Sequence, residues 1–219
     1  MPTRAVLLDF DGTLADSFDA IAASTNHVRR AYGWPDLPER EVRRYVGLGL
    51  AQLMADLVPN APADAAVALY REHHPTVMLA GTRLMPGVAD TVATLAARGY
   101  RLAVCSNKRV EFTRGLVEHL GLRPAIAEVL GPEDVGGQAK PDPAMLLEAL
   151  RRLGDSPAEA VYVGDMAVDV HAGRAAGVPV WLVLGGATGR ESAADARPDR
   201  VLGSFAEMKE LLPRLGCIA

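Results

Sequence analysis

The sequence predicts an α/β fold in which a doubly wound parallel sheet carries an all-helical segment inserted after the first strand. Short apolar runs alternate with helical patterns along most of the chain, as expected for parallel strands joined by crossover helices. The alternation stops between about residues 17 and 84, where the pattern is helical throughout. With 219 residues, 49% of them hydrophobic, the chain can form one large core with a modest insertion.

Six apolar runs are predicted to be the strands of the sheet. Parallel strands are covered on both faces and therefore read as continuous apolar segments rather than as alternating ones. The runs are Ala5–Phe10, Arg101–Ser106, Ile126–Leu130, Ala160–Gly164, Val178–Leu184 and Arg200–Leu202. The helical patterns of this part of the chain cover Gly87–Arg98, Arg109–Leu120, Pro143–Leu153, Val168–Ala176 and Phe205–Arg214.

The inserted segment shows no convincing strand between Ser17 and Leu84. Its helical pieces are Ser17–Tyr32, Arg40–Tyr45, Leu50–Leu57 and Ala63–Leu79. A stretch of roughly 65 residues is too long for an ordinary strand-to-helix loop, so we interpret it as a separate helical unit. We therefore predict a core of residues 1–16 and 85–219 and a helical cap of residues 17–84, which overhangs the carboxyl edge of the sheet.

Composition excludes several classes of partner. A net charge of −4 and a charged fraction of 23% give no basic excess of the kind that nucleic-acid binding requires. No apolar run approaches the ~20 residues that span a bilayer, and no signal pattern precedes the first strand. The two cysteines, Cys105 and Cys217, do not suggest a disulfide framework. We expect a cytoplasmic protein with no nucleic-acid or membrane partner.

The most informative segment is the end of the first strand, Asp9-Phe10-Asp11-Gly12-Thr13. Asp9 and Asp11 start on one side of a strand at its carboxyl end, where open α/β sheets bind their ligands. Two neighbouring carboxylates stay ionised only with a cation or donors between them, and a hard cation such as Mg2+ suits their oxygens. The turn at Gly12 and Thr13 offers backbone N–H groups that could hold a phosphate.

Three further polar motifs follow predicted strands or open a helix, and together they indicate one site. They are Ser106-Asn107-Lys108, Lys140-Pro141-Asp142-Pro143 and Gly164-Asp165-Met166-Ala167-Val168-Asp169. Each has an ordinary structural explanation when taken alone: Ser106 suits a helix cap and Lys140 a surface charge. Because the carboxyl ends of parallel strands meet at one edge, the sheet gathers the motifs into a single crevice.

The four motifs resemble those of the haloacid dehalogenase-like superfamily, in its phosphoglycolate phosphatase-like branch, over essentially the whole chain. The resemblance implies a Rossmann-like core with an inserted helical cap, in agreement with the pattern of strands and helices. It implies that Asp9 is the nucleophile that forms an aspartyl-phosphate and that Asp11 is the general acid and base. Ser106 would hydrogen-bond the phosphoryl group, and Lys140 would neutralise charge on Asp9 and on the phosphoryl oxygens.

The resemblance also implies a Mg2+ site formed by the Asp9 carboxylate, the Asp11 backbone carbonyl and Asp165. Asp169 would hold the water shell of the metal. One departure is Met166, which stands where the branch commonly has serine and offers no hydroxyl for a hydrogen bond. The substitution puts in doubt the fine adjustment of this motif by a hydrogen bond, but not the activity, because both carboxylates of the motif are present.

Candidate substrate contacts beyond these motifs come from the cap and from the second motif. The segment from Arg43 to Leu50 resembles the corresponding segment of phosphoglycolate phosphatases. Its glycines Gly47 and Gly49 would let the backbone approach the substrate, and Arg43 or Arg44 could meet a carboxylate. The glycines could equally end a helix, and the arginines could be a solvated face. Asn107 and Lys108 complete the predicted set of phosphate- or substrate-binding residues.

The sequence thus predicts a Mg2+-dependent hydrolase of a small phosphorylated metabolite such as 2-phosphoglycolate, acting as a monomer or a homodimer. A sugar-phosphate mutase resembling β-phosphoglucomutase shares the same core motifs and stays an alternative, as does a pyrophosphatase. A non-catalytic binding or regulatory protein is disfavoured, because Asp9, Asp11, Lys140 and Asp165 are all present.

Overall fold

The strands of the central sheet are all parallel, in a computed structural model that describes residues 3–187 and 195–215. The strands of the described chain are β1 (Ala5–Leu8), β2 (Ala15–Asp16), β3 (Arg83–Leu84), β4 (Arg101–Cys105), β5 (Ile126–Leu130), β6 (Ala160–Gly164), β7 (Val180–Val183) and β8 (Arg200–Leu202). Six of them form the sheet in the order β5-β4-β1-β6-β7-β8. Since β1 pairs with both β4 and β6, its carboxyl end lies in the middle of the sheet edge.

Two groups of helices surround this sheet and its first strand. The helices that precede β3 are α1 (Phe18–Ala31), α2 (Glu39–Arg43), α3 (Leu50–Leu57) and α4 (Ala63–Val77). Those that follow β3 are α5 (Val88–Ala97), α6 (Val110–His119), α7 (Ala144–Leu153), α8 (Ala167–Ala176) and α9 (Met208–Leu211). The predicted doubly wound α/β fold is confirmed by this arrangement.

Both faces of the sheet are buried, which explains why its strands are apolar throughout. Val6 and Leu8 of β1 belong to a hydrophobic cluster with residues of α5, α6 and α9. Ala5 and Leu7, on the opposite face, belong to a second cluster with residues of α7 and α8. Alternate residues of one strand therefore contribute to different helical layers, as the pleat of a strand requires.

The helices inserted between β2 and β3 pack around a hydrophobic cluster of their own. It joins Phe18 and Ile21 of α1 to Leu53 and Met54 of α3 and to Tyr70 of α4. A separate cluster of this kind is what a helical cap requires. The division into a cap of residues 17–84 and a core of residues 1–16 and 85–219 stays a prediction.

Two local expectations differ from the structure. Arg83–Leu84 forms a short antiparallel ribbon with Ala15–Asp16, where the sequence predicts no strand before Leu84. Strands of two residues are too short to show a periodic pattern. The single helix predicted over Phe205–Arg214 is a 3-10 turn followed by α9, which ends at Leu211. Pro213 stands just beyond that end, where the absence of its N–H and the restriction on the preceding residue disfavour further helix.

Two further expectations concern membranes and cysteines. Within residues 3–187 and 195–215, no helix combines the length and the hydropathy needed to cross a membrane. Cys105 is fully buried at the end of β4, and burial raises the pKa of its thiol to about 12. Cys217 lies outside the described residues.

Candidate active site

The polar motifs meet at the carboxyl edge of the sheet, beneath the inserted helices. Asp9 directly follows β1, Ser106 follows β4, and Asp165 follows β6. Lys140 comes from the loop before α7. A cavity of about 440 Å³ separates part of this group from the inserted helices, which is within the usual range for small-molecule pockets.

Lys140 is the central cation of the crevice. Its Nζ lies 2.8 Å from Asp9 Oδ1 and 2.8 Å from Asp169 Oδ1, and it donates to the hydroxyl of Tyr162 at 2.8 Å. Burial disfavours the charged ammonium, but the carboxylates of Asp169 and Asp9 outweigh that effect and raise the pKa of Lys140. The lysine is therefore a fixed, buried positive charge beside the predicted nucleophile.

Asp9 combines burial with one oxygen that lacks an aligned donor. Burial raises the pKa of its carboxyl to about 6, against the lowering effect of the neighbouring Lys140 charge. Lys140 approaches Asp9 Oδ1 closely but off the direction of a hydrogen bond, so within the described chain this buried oxygen has no hydrogen-bond partner. An ionised carboxylate in this position needs a further positive partner.

The carboxylates of Asp9, Asp165 and Asp169 form a buried cluster whose oxygens lie within 4.8 Å of one another. The pKa of Asp165 is raised well above its ordinary value by burial and by the charges of Asp169 and Asp9. Three mutually repelling oxygens and the unpartnered Asp9 Oδ1 fit a hard divalent cation such as Mg2+. The predicted use of the Asp11 backbone carbonyl at this metal site stays a prediction.

The two carboxylates of the fourth motif are held differently. Asp165 accepts the backbone N–H of Ala187, and a Cβ at Gly12 would lie only 2.3 Å from its Oδ2, so it occupies a tight recess. Asp169 Oδ1 accepts from Lys140 and Tyr162, while its Oδ2 accepts the backbone N–H groups of Asp165 and Met166. Asp169 thus positions both Lys140 and the loop that carries Asp165.

Asp11 faces the cavity, and two other side chains hold it. Lys108 Nζ contacts its two oxygens at 3.2 and 3.3 Å, and the hydroxyl of Ser17 donates to Oδ1. Both contacts fix the position of the carboxyl group. Lys108 is therefore the direct partner of the predicted general acid and base.

Asn107 connects three parts of the molecule. Its Oδ1 accepts the Lys140 backbone N–H at 2.7 Å, and its Nδ2 donates to the carbonyls of Lys140 and Gly47 at 3.0 and 2.9 Å. The side chain thereby positions Lys140 and joins the core to the inserted segment, and contact with a phosphate stays a prediction. The hydroxyl of Ser106 is buried and accepts the Lys108 N–H at 3.3 Å at the edge of the cavity.

The expectation of free backbone donors at Gly12 and Thr13 is wrong. The N–H of Gly12 donates to the carbonyl of Ala15 at 2.8 Å, and the N–H of Thr13 donates to that of Phe10 at 3.3 Å. The tight turn after β1 uses both groups to close itself, because buried backbone groups pair within the protein wherever they can. The hydroxyl of Thr13 instead reaches Asp165 Oδ1 at 3.4 Å.

The structure separates the predicted cap residues into two groups. Gly47 and Gly49 line the cavity above Asp9 and Asp11. Arg43 and Arg44 do not line it: Arg43 lies over the ring of Phe18 at 4.0 Å and pairs with Glu39 and Asp16, because opposite charges stand there. Arg44 is exposed and pairs with Glu41. The geometry therefore does not favour the predicted contact of either arginine with the substrate.

Several residues at the site escape prediction from the sequence. Tyr162 and Ser17 hold Lys140 and Asp11, and one face of α4 lines the cavity opposite them. The one signal for Tyr162 is a hydroxyl-bearing residue inside an apolar strand pattern. The residues of α4 at the cavity are Val67, Tyr70, Arg71 and His74.

The structure also shows what the Met166 side chain contacts. A Cβ built at Gly47 would lie 2.2 Å from its sulfur, so the thioether packs directly against the Gly47 backbone. Gly47 has a φ of +117°, a conformation that side-chain-bearing residues rarely adopt. The residue that replaces the common serine therefore contacts the inserted segment.

Comparison with known proteins agrees with this geometry. Residues 6–183 match the haloacid dehalogenase-like hydrolase family. The plasmid phosphoglycolate phosphatase of Cupriavidus necator is 37% identical, over 97% of this chain and 94% of its own length.

Two solved structures extend the similarity to the fold. A HAD family hydrolase from Deinococcus radiodurans with bound phosphate and sodium is 27% identical, with a TM-score of 0.76 over 96% of this chain and 95% of its own. CbbY from Rhodobacter sphaeroides, in complex with phosphate, is 26% identical, with a TM-score of 0.80 over 94% and 96%. The chain therefore belongs to the haloacid dehalogenase-like hydrolases, in their phosphoglycolate phosphatase-like branch.

Proposed function

We propose that the protein is a Mg2+-dependent phosphatase that hydrolyses a small phosphomonoester through an aspartyl-phosphate on Asp9. The observation that carries the proposal is the placement of Lys140 Nζ 2.8 Å from Asp9 Oδ1, beside a buried cluster of acidic side chains. An anionic nucleophile and a phosphate dianion repel each other, so a fixed cation beside Asp9 lowers the barrier to their approach.

In the first step, an Asp9 oxygen attacks phosphorus and the substrate oxygen leaves with a proton from Asp11. In the second step, Asp11 removes a proton from water, which attacks the phosphoryl group and regenerates Asp9. Lys108 and Ser17 hold the Asp11 carboxylate in position for both transfers. Asp9 and Asp165 would hold Mg2+, which when bound would supply positive charge near the phosphoryl oxygens.

For the substrate, we propose 2-phosphoglycolate or a similarly short phosphorylated metabolite in the cytoplasm. Support comes from relatives that carry the name phosphoglycolate phosphatase and match nearly the whole chain. Asp9 and Lys140 are both buried, and a low local dielectric strengthens the charge interaction between them.

The deciding experiment measures phosphate release from a panel of substrates, ranked by kcat/KM. The panel contains phosphoglycolate, sugar phosphates, nucleotides and pyrophosphate, each with Mg2+, with EDTA and with Mg2+ restored. We expect phosphoglycolate to rank first, EDTA to abolish turnover reversibly, and Ca2+ to inhibit because its coordination is larger and looser.

Each alternative gives a different result in this panel. A pyrophosphatase would prefer pyrophosphate, and a mutase would convert a sugar phosphate only with a sugar bisphosphate present and release little free phosphate. Full activity without a divalent metal would contradict the metal-dependent mechanism. Absence of any phosphate release would leave a binding or regulatory protein.

A further inference from the structure

One face of α4 forms the cavity wall on the side of the inserted helices. Val67, Tyr70, Arg71 and His74 recur at the three- and four-residue spacing that places side chains on one side of a helix. The charge of Asp11 contributes to raising the pKa of Tyr70, after burial, and the charge of Lys108 contributes to lowering that of His74. This helix face therefore lies within electrostatic reach of the groups that serve the leaving oxygen.

His74 carries a buried ring nitrogen that no described residue satisfies. The residue is 1% exposed, and its ring packs against Tyr70 and Phe112 with centroids 5.0 and 5.2 Å away. Its Nδ1 lies 2.9 Å from the hydroxyl of Ser24, whereas Nε2 has no hydrogen-bond partner in the described chain. Buried polar atoms are nearly always paired, so an unpaired one at a cavity points to a ligand atom.

One arrangement of the hydrogens around the ring places the His74 hydrogen on Nε2. Burial and the Lys108 charge lower the pKa of His74 to about 3, so the imidazole is neutral and holds one N–H. The Ser24 hydroxyl has one hydrogen, and His73 Nδ1 lies 3.3 Å from the same oxygen. When Ser24 donates across the shorter contact to His74 Nδ1, His73 donates to Ser24 and the His74 hydrogen stands on Nε2. The unpaired atom is then a donor.

The same wall carries positive charge and no negative charge. Arg71 lines the cavity one turn before His74 and forms no ion pair with any described residue. The cavity-lining residues that precede β3, from Ile21 to His74, include no carboxylate. A donor and a free cation on an otherwise apolar wall are complementary to an anionic oxygen acceptor.

We propose that His74 Nε2–H and the Arg71 guanidinium bind the carboxylate of a short phosphorylated hydroxy acid, with Ser24 positioning the imidazole. The inference rests on the proposed function, because the phosphoryl group of the same molecule occupies the crevice at Asp9. It assigns substrate discrimination to α4 rather than to the segment that contains Arg43 and Arg44.

The kinetic test compares phosphoglycolate with ethyl phosphate, which has the same two-carbon alcohol but no carboxylate. His74→Leu and Arg71→Met are each expected to lower kcat/KM for phosphoglycolate about 10- to 150-fold, mainly through KM. Turnover of ethyl phosphate should stay within about threefold. Glu72→Gln, on the same helix and outside the cavity lining, is the matched control and should change neither substrate.

A second readout does not depend on turnover. In 15N-histidine-labelled protein, His74 is the imidazole that stays neutral on acidification, and it should show the Nε2–H tautomer. That resonance should shift when glycolate is added and should not shift with ethanol. Ser24→Ala should allow the Nδ1–H tautomer to appear, an effect that loss of packing alone would not give.

The outcomes separate the inference from the proposed function. Equal losses on both substrates, no loss on either, or an Nδ1–H tautomer in the wild-type protein would overturn the role of His74. If the wild type instead ignores phosphoglycolate but hydrolyses 3-phosphoglycerate with the same dependence on His74 and Arg71, the proposed substrate fails and the carboxylate site stands. If His74→Leu does not fold, the spectra of the wild-type protein and Arg71→Met decide.

Discussion

The crevice at the sheet edge and the wall formed by α4 differ in how their polar groups are held. In the crevice, Lys140 contacts Asp9, Asp169 and Tyr162, and both oxygens of Asp169 accept hydrogen bonds. On the wall, His74 Nε2 and Arg71 have no partner among the described residues, and the remaining surface is largely apolar. Under the proposed function, the crevice provides a preorganised charge arrangement for the phosphoryl group, and the wall leaves contacts for the rest of the substrate to complete.

The largest effect should come from the crevice. Asp9→Asn keeps the shape of the side chain but removes its charge and its nucleophilic oxygen, so kcat should fall at least ~10³-fold on every substrate. The loss should be the same for phosphoglycolate and ethyl phosphate, since the proposed mechanism places Asp9 in the chemical step. Circular dichroism and thermal unfolding establish that the variant is folded. Near-normal turnover by the folded variant would remove Asp9 from its role.

The second prediction concerns the stability of the wall. The pKa of His74 is about 3 in the folded protein and about 6.5 when unfolded, so below pH 6.5 the unfolded chain binds a proton that the folded chain does not. As the pH falls from 6.5 to 3, His74 should therefore lower the free energy of unfolding by up to about 1.4 kcal/mol for each pH unit.

Urea unfolding between pH 8 and 4 measures this slope. His74→Leu should remove one proton from the difference between the two states, so its stability should depend less steeply on pH than that of the wild type. His119→Leu, at an exposed position, serves as the control for the loss of a histidine. Parallel slopes for His74→Leu and the wild type would mean that His74 titrates normally.

The third prediction concerns the contact between Gly47 of the inserted segment and Met166 of the core. Gly47→Ala forces a side chain into a left-handed conformation and against Met166, whereas Gly49→Ala meets the same backbone strain with open space around it. Strain of this kind costs about 1–3 kcal/mol, so urea unfolding should show a loss of stability of this order in Gly49→Ala and a larger loss in Gly47→Ala.

Met166→Ala provides a direct check of that explanation. It removes the sulfur that the new methyl group would meet and should recover part of the loss in the double variant. Equal effects of Gly47→Ala and Gly49→Ala, with no recovery, would assign the loss to backbone strain alone.

The smallest effect should come from Arg43, the last residue of α2, and from Arg44, which follows it. Arg43 and Arg44 form partly or largely exposed ion pairs away from the cavity, and such pairs contribute roughly 0.2–1 kcal/mol. Arg43→Ala and Arg44→Ala should therefore change kcat/KM less than about fivefold on either substrate. A loss of 10- to 150-fold confined to phosphoglycolate would restore the role that the sequence predicts for them and contradict the assignment to α4.

The two regions also differ in how far they can be predicted from sequence. Alternating strands and helices imply a parallel sheet whose strand ends meet at one edge, so the amino-acid sequence alone is enough to group Asp9, Ser106, Lys140 and Asp165. No comparable rule says which face of a cap helix lines the site. The position of His74 depends on how α4 packs against α1, and its approach to Ser24 across 50 residues leaves no motif in the chain.

The wrong expectation of free N–H groups at the edge of the sheet also arises because local geometry cannot be predicted from residue types. The spacing of the carboxylates after β1 identifies them, but the turn that follows uses the N–H groups of Gly12 and Thr13 for itself. Which backbone groups close a turn depends on its φ and ψ angles, and residue types alone do not determine them. The geometry does not favour the substrate contact predicted for Arg43 for a related reason, because one of its opposite charges, Asp16, becomes a neighbour only after the chain folds.

The two hydrogens of the Asn107 amide are shared between the core and the inserted segment. One donates to the Lys140 carbonyl and the other to the Gly47 carbonyl. If the inserted segment lifts, the second hydrogen meets water instead of remaining buried, so opening exchanges one hydrogen bond for another at a net cost of about 0.5–1.5 kcal/mol. The contact to Gly47 can therefore break at low cost, while Asn107 keeps its two contacts with the Lys140 backbone.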